Sequence, residues 1–232
     1  MMPLSSKNLW AALAAVLIIG GLAWYYLAHA GNPLPVSAAD HLKNWQLPAP
    51  QDLATNGPKL KSQIADLSAM LGGGKFPDED IQLGIGNDYA LLGDGKSAYT
   101  AYLAALAASS TDALAYDNLG GLFARLHATS TAIRAYAQAV ELAPSQALFQ
   151  ITYLDFLAQA APQAPSTAAA FAQAKQVIGT TSPDILIAEA SWLGSIGKYA
   201  EAIADWRLVE SAEPSAKASI EARIRQLQAE TH

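Results

Sequence analysis

The chain contains no cysteine, so it carries no disulfide framework and no thiolate metal site. Positive charge is also scarce. Only 14 lysines and arginines stand against 20 acidic residues, a net charge of −6, and no basic run or basic helix face occurs. That balance argues against a dedicated nucleic-acid binder. The four histidines, His29, His41, His127 and His232, are scattered, with no i,i+4 pair and no carboxylate at ligand spacing. Nothing supports Ser-His-Asp catalysis. The stretch Ala90 to Ser97 satisfies a loose phosphate-loop pattern, but that motif needs a preceding buried strand, and here Gly93, Asp94 and Gly95 read as a turn between helices. Gly72 to Lys75 reads as a helix stop. Asp78, Glu79 and Asp80 read as acidic groups at a helix N-terminus rather than a metal site. Neither an enzyme nor a bound cofactor is expected.

What is abundant is small apolar side chain. Hydrophobic residues make up 52% of the 232, and much of that is alanine. Alanine is the best helix former, so the composition suits a helical array. The stretch Ala113 to Gln146 shows how such an array is built. Numbered from Ala113, it carries Tyr116 at position 4, Leu119 at 7, Gly120 at 8 and Phe123 at 11. In its second half Ala132 stands at 20, Tyr136 at 24, Ala139 at 27 and Pro144 at 32. Small residues at 8 and 20 let two antiparallel helices cross closely, and the aromatics fill the space around the crossing. Pro144 donates no backbone hydrogen bond, so it ends the second helix. These eight positions resemble the signature of the tetratricopeptide repeat, a 34-residue helical hairpin.

One hairpin cannot bury its own apolar faces, so neighbours are expected at the same period. Residues 79–112 match with Gly86, Tyr89, Gly93, Ala98, Tyr102 and Ala105, and Ser110 replaces the closing proline. Residues 183–214 match with Ala190, Leu193, Gly197, Tyr199, Ala202, Trp206 and Pro214, with Glu189 where leucine is usual. Between them, 147–182 exceeds the period and carries Pro162 and Pro165, so it reads as a degenerate repeat with a lengthened turn. A helix from Asp52 to Leu71 leads the array. Residues 215–231, with Ile220, Ile224 and Leu227 on one face, read as a polar-backed cap. The expected fold is an all-α solenoid of helical hairpins over 52–232.

Ahead of the array, Leu9 to Ala28 runs twenty residues without a charge, about the length of one membrane-spanning helix. Trp10, Trp24, Tyr25 and Tyr26 flank it where aromatics favour the headgroup boundary. Lys7 and the amino terminus place residues 1–8 in the cytoplasm and the bulk outside it. Ala28-His29-Ala30 also fits a signal-peptidase site, although the apolar run is long for a signal core. Residues 29–51, with Pro33, Pro35, Pro48 and Pro50, read as an extended linker. Trp45 and Leu47 within it are placed to pack on the membrane surface or on the first repeat.

The candidate functional surface is the inner wall of the array, built by the first helix of each hairpin. Its expected contact residues are Leu83, Asn87 and Leu91, then Leu114, Asp117 and Arg125, then Ile151 and Asp155, and last Ile187 and Ser191. The wall is apolar with a few acids and one arginine, which suits an amphipathic helix or extended apolar peptide. Basic residues that clamp a terminal carboxylate in some tetratricopeptide proteins are missing, because Leu83 and Leu114 stand in their places.

A finer resemblance rests on Tyr199, Ala202, Ile203, Trp206 and Leu208, followed by the helix EARIRQLQAE, and on LDFLAQA at 154–160. These stretches are similar to the NrfG/CcmI-type tetratricopeptide proteins of bacterial cytochrome c biogenesis. The resemblance implies a single-pass inner-membrane protein whose C-terminal domain faces the periplasm. It further implies that the domain meets heme-lyase subunits or apocytochrome c. The alternative expectation is a general periplasmic scaffold or chaperone-like subunit of an inner-membrane complex, of the YfgM type.

Overall fold

Helix-forming composition and closely spaced breakers yield ten α-helices among the described residues, which are 32–48 and 52–231 of a computed structural model. They are α1 (Leu53–Met70), α2 (Asp78–Leu91), α3 (Gly95–Ala108), α4 (Ala113–Arg125), α5 (Thr129–Leu142), α6 (Ala147–Ala160), α7 (Pro165–Ile178), α8 (Pro183–Ser195), α9 (Tyr199–Ala212) and α10 (Lys217–Ala229). A short 3-10 turn, Pro214–Ala216, leads into α10. No strand occurs among the described residues, only an isolated bridge between Gln46 and Asp94. The expected membrane-spanning helix over 9–28 lies outside the described residues. Within them no helix is long and apolar enough to cross a membrane.

The helices pair as hairpins, α2 with α3, α4 with α5, α6 with α7 and α8 with α9, and α6 and α7 touch least. The turn between paired helices repeats one device. Its residue at position 15 is left-handed in three hairpins, as Gly93 (φ 83°), His127 (φ 56°) and Gly197 (φ 80°). His127 is exposed on that turn. The crossings need their glycines: a Cβ on Gly120 would stand 2.5 Å from the Tyr136 ring, and one on Gly86 would collide with Tyr102. The third hairpin is longer because α6 has 14 residues where α4 has 13, and its turn, 161–164, is one residue longer than 126–128.

Two cores result. The larger holds Tyr99, Tyr102, Leu119, Phe123 and Tyr136, all buried. The second holds Leu154, Phe171, Ile185, Trp192 and Leu227. At the C-terminal end Ile220 and Ile224 of α10 bury against Leu186 and Val209. Glu189, in the place of a leucine, is buried and ion-paired with Lys175 at 2.7 Å, which ties α8 to α7.

Residues 32–48, read from sequence as part of an extended linker with Trp45 and Leu47 packing on the membrane surface or the first repeat, form a strap over the first two hairpins. Leu34 and Leu47 are buried in the larger core. Trp45 stacks on Tyr99 with ring centres 4.9 Å apart. The Tyr99 hydroxyl donates to the Leu34 carbonyl at 2.9 Å and accepts from Asn32 at 2.7 Å. The Leu47 amide donates to the Gly93 carbonyl, and the Gly95 amide donates to the Trp45 carbonyl, both at 2.9 Å. Asp40 accepts from the Ser130 amide at 2.9 Å, and from the Thr131 amide and hydroxyl at 2.7 and 2.6 Å. It therefore caps α5 from 90 residues away in sequence. Partial burial acts to raise the Asp40 carboxyl, but the hydrogen bonds from Thr131 and the Ser130 and Thr131 amides outweigh it and hold the group below the usual carboxylate range. The strap grips α3, α5 and the turn edge, and none of the bonds named here engages the candidate contact residues of the inner wall.

Candidate functional site

The first helices of successive hairpins stand side by side, α2 against α4, α4 against α6 and α6 against α8. Residues three, four and seven apart share one face of a helix, so each contributes a stripe to a common wall. On α4 the stripe is Leu114, Asp117, Asn118, Gly121 and Arg125. A groove of about 420 Å³ opens where α2, α4 and α6 meet, with Asn87, Leu91, Asp117 and Arg125 in its lining. Four of the ten expected contact residues therefore come together in one place.

The other six fall differently. Leu83 was expected on the wall but is buried in the larger core, among side chains of the first two hairpins and the strap. It is not available to a partner. Leu114 is exposed, and so is Ile187. Ile151 is half-buried and packs against the second core. Asp155 is exposed. Ser191 is exposed, with its hydroxyl donating to the Ile187 carbonyl at 2.7 Å.

Several exposed large apolar side chains lie on this wall, while Met70, Phe76, Val177 and Leu208 lie elsewhere. Leu91 is 49% exposed, Leu114 44%, Leu148 64% and Ile187 38%. All four lie on first helices, α2, α4, α6 and α8 in turn. Large apolar side chains left in water on successive neighbouring helices mark a surface that buries against something else.

The polar groups are set by the hairpin crossings beneath. Tyr102 and Tyr136 occupy equivalent positions and reach past their glycines to the groove. In the first hairpin the Tyr102 hydroxyl donates to Asn87 Oδ1 at 2.7 Å. In the second, Gly121 fills the place of Asn87, and even a Cβ there would lie 3.6 Å from the Tyr136 hydroxyl. The Tyr136 end therefore faces the groove with no asparagine opposite it. Beside it, burial pushes the Asp117 carboxyl up to about 6. Its Oδ1 is buried and makes no hydrogen bond among the described residues. Burial, together with the Asp117 charge, pushes the Tyr136 phenol up to about 12. Arg125, the one arginine among the expected contacts, is held by the Ala90 carbonyl at 3.3 Å.

Sequence reasoning placed the tyrosines only as fillers of the crossing. The signal for their second role was the hydroxyl itself, since a phenylalanine fills the same space without reaching a polar end into the groove. Thr152 and Asn118 also line the groove and were not singled out. Among the described residues no group of three or more histidine or acidic side chains is gathered in a way that would hold a metal ion.

No protein-family model matches the chain, and no curated protein matches it. Solved structures do. The chain is similar to a thermophilic TPR protein of Thermus thermophilus, with a TM-score of 0.51 and 15% identity over 76% of this chain and 94% of that one. At that identity the likeness bears on architecture alone, and with the hairpins and crossings above it establishes a tetratricopeptide-like helical solenoid.

Proposed function

We propose that the chain is a membrane-anchored periplasmic interaction module whose inner wall holds a segment of another polypeptide during assembly of c-type cytochromes. The observation that carries the interaction role is the row of exposed Leu91, Leu114, Leu148 and Ile187 along the first helices. An apolar row of this kind suits the face of one amphipathic helix. The anchor rests on the uncharged run Leu9 to Ala28, and the cytochrome role on the resemblance of Tyr199 to Leu208 and the following helix.

Site-specific photo-crosslinking in cells tests it. A crosslinking amino acid at Leu114 or Leu148 of the full chain is expected to trap apocytochrome c or heme-lyase subunits, identified by mass spectrometry. The same group at Leu208, exposed on the second helix α9, is expected to trap neither. Translocon or chaperone partners at Leu114 and Leu148 would replace the cytochrome role with that of a general periplasmic scaffold. Equal capture from Leu208 would remove the groove from the account.

A further inference from the structure

The groove has a chemical preference beyond its apolar row. Among its polar groups only Asp117 combines a buried carboxylate oxygen with no hydrogen-bond partner among the described residues. Asn87 is bonded to Tyr102, and Arg125 is bonded to the Ala90 carbonyl. A buried acceptor left open is costly, and a charge-assisted donor is the partner that relieves it best. The wall around it is acidic. Asp80 and Asp184 in the first turns of α2 and α8, and Asp155 on α6, add negative charge to the first helices, against the single tethered Arg125 of the groove. Acidic or carboxylate-ended partners are therefore repelled, and cationic ones attracted.

We propose that the groove reads a basic residue: an amphipathic helix lies with its apolar face along Leu91, Leu114 and Leu148 and sets one lysine or arginine onto Asp117 beside the Tyr136 hydroxyl. This rests on the inner wall being the binding surface, and it adds the charge that selects the occupant. The Tyr136 hydroxyl supplies a second acceptor for the same ammonium or guanidinium. The cation restores full ionisation to a carboxyl that burial holds back, so binding releases a proton below about pH 6 and tightens as the pH rises through that value.

Selection of a random 16-residue peptide display library on the full chain in detergent micelles tests the assignment. The expected winners carry a lysine or arginine at one fixed place among apolar residues at helical spacing. Their affinity is then measured by fluorescence anisotropy on three proteins. Asp117→Asn, which keeps the side chain's size and folds as the parent does, is expected to weaken binding by about tenfold, the typical worth of a hydrogen bond to a charged group. Leu114→Glu, at an exposed position, is expected to abolish it. Winners with no basic position, or affinity unchanged by Asp117→Asn while Leu114→Glu still abolishes it, would overturn the basic subsite and leave the groove standing. No enrichment, or binding indifferent to Leu114→Glu, would overturn both.

Discussion

The second and third hairpins use the same two places in opposite ways. In α4 and α5, Gly120 is the small partner and Tyr136 the large one, and the helices close until no Cβ fits. In α6 and α7, Leu154 takes the glycine's position, fully buried, and the large residue of α7 is Phe171, which turns to the next hairpin and stacks on Trp192 at 4.9 Å and 13°. α7 is thus tied to the next hairpin as well as to its own partner, through Phe171–Trp192 and Lys175–Glu189. α6 becomes the junction. Phe149, Tyr153 and Phe156 pack on the larger core, with Phe156 5.3 Å from Tyr136, while Ile151 and Leu154 serve the second. A repeat array keeps its hairpins uniform only while small and large residues hold their places. Exchanging them moves the cohesion from within a hairpin to between hairpins.

The comparison breaks most sharply at Phe171. Replacement by alanine is expected to cost about 3–5 kcal/mol, the range for a buried aromatic that leaves a cavity. Hydrogen exchange should show α7, α8 and α9 losing protection while α4 and α5 keep theirs. Equal loss in both regions would mean that the two cores behave as one.

Gly120 comes next. Gly120→Ala forces a methyl to 2.5 Å from the Tyr136 ring, and overpacking of that kind costs about 1–3 kcal/mol. Its neighbour Gly121 is the control, because a Cβ there meets only the Tyr136 hydroxyl at 3.6 Å. Gly121→Ala should gain up to about 1 kcal/mol from helix propensity. Denaturant midpoints that moved the same way for both would refute the close crossing.

Much of this was legible. Gly120, Ala132, Tyr136 and Pro144 repeat at a fixed period, and a local period survives in any sequence that stacks hairpins. The exchange at Leu154 was visible only as a weakened pattern, since its cause lies in Trp192, on another hairpin. The strap was legible only in Trp45 and Leu47, which the sequence placed on the first repeat or the membrane surface. Leu34, Asp40 and Trp45 have no mutual period, and their partners Tyr99, Thr131 and Gly95 lie far along the chain. Proline-rich polar sequence then reads as spacer. At the site, helical spacing put Asp117 on the wall, but could not show that one of its oxygens is buried without a hydrogen-bond partner, which depends on packing. Leu83 failed for the complementary reason, since periodicity cannot tell a wall position from one buried between neighbouring hairpins.

The strap ranks third in expected effect and bears on the first region alone. Asp40→Ala removes the cap on α5, a loss of about 0.5–2 kcal/mol. Protection should fall at Ser130 and Thr131 and leave α7 to α9 untouched. A loss that spread to the second core would show that the strap supports the whole array.

The smallest effect separates the two regions by pH, because each carries one acid pushed up to about 6. For Asp117 the cause is burial. For Asp205 of α9 it is burial first and then the charge of Glu189, partly offset by Lys175 and with a further push from Glu201. A carboxyl raised above its unfolded value binds its proton more tightly in the folded state. It favours folding fully below about pH 4 and loses that contribution as the pH climbs through about 6. Both groups are substantially solvated, so screening holds each effect to under about 1 kcal/mol. The wild type should therefore lose a little stability between pH 4 and 6. Asp117→Asn should flatten that slope for amides of α4 and α5, and Asp205→Asn for those of α8 and α9. Were either substitution to flatten both regions, the two acids would be reporting on one cooperative unit, and the division at α6 would be only a matter of packing.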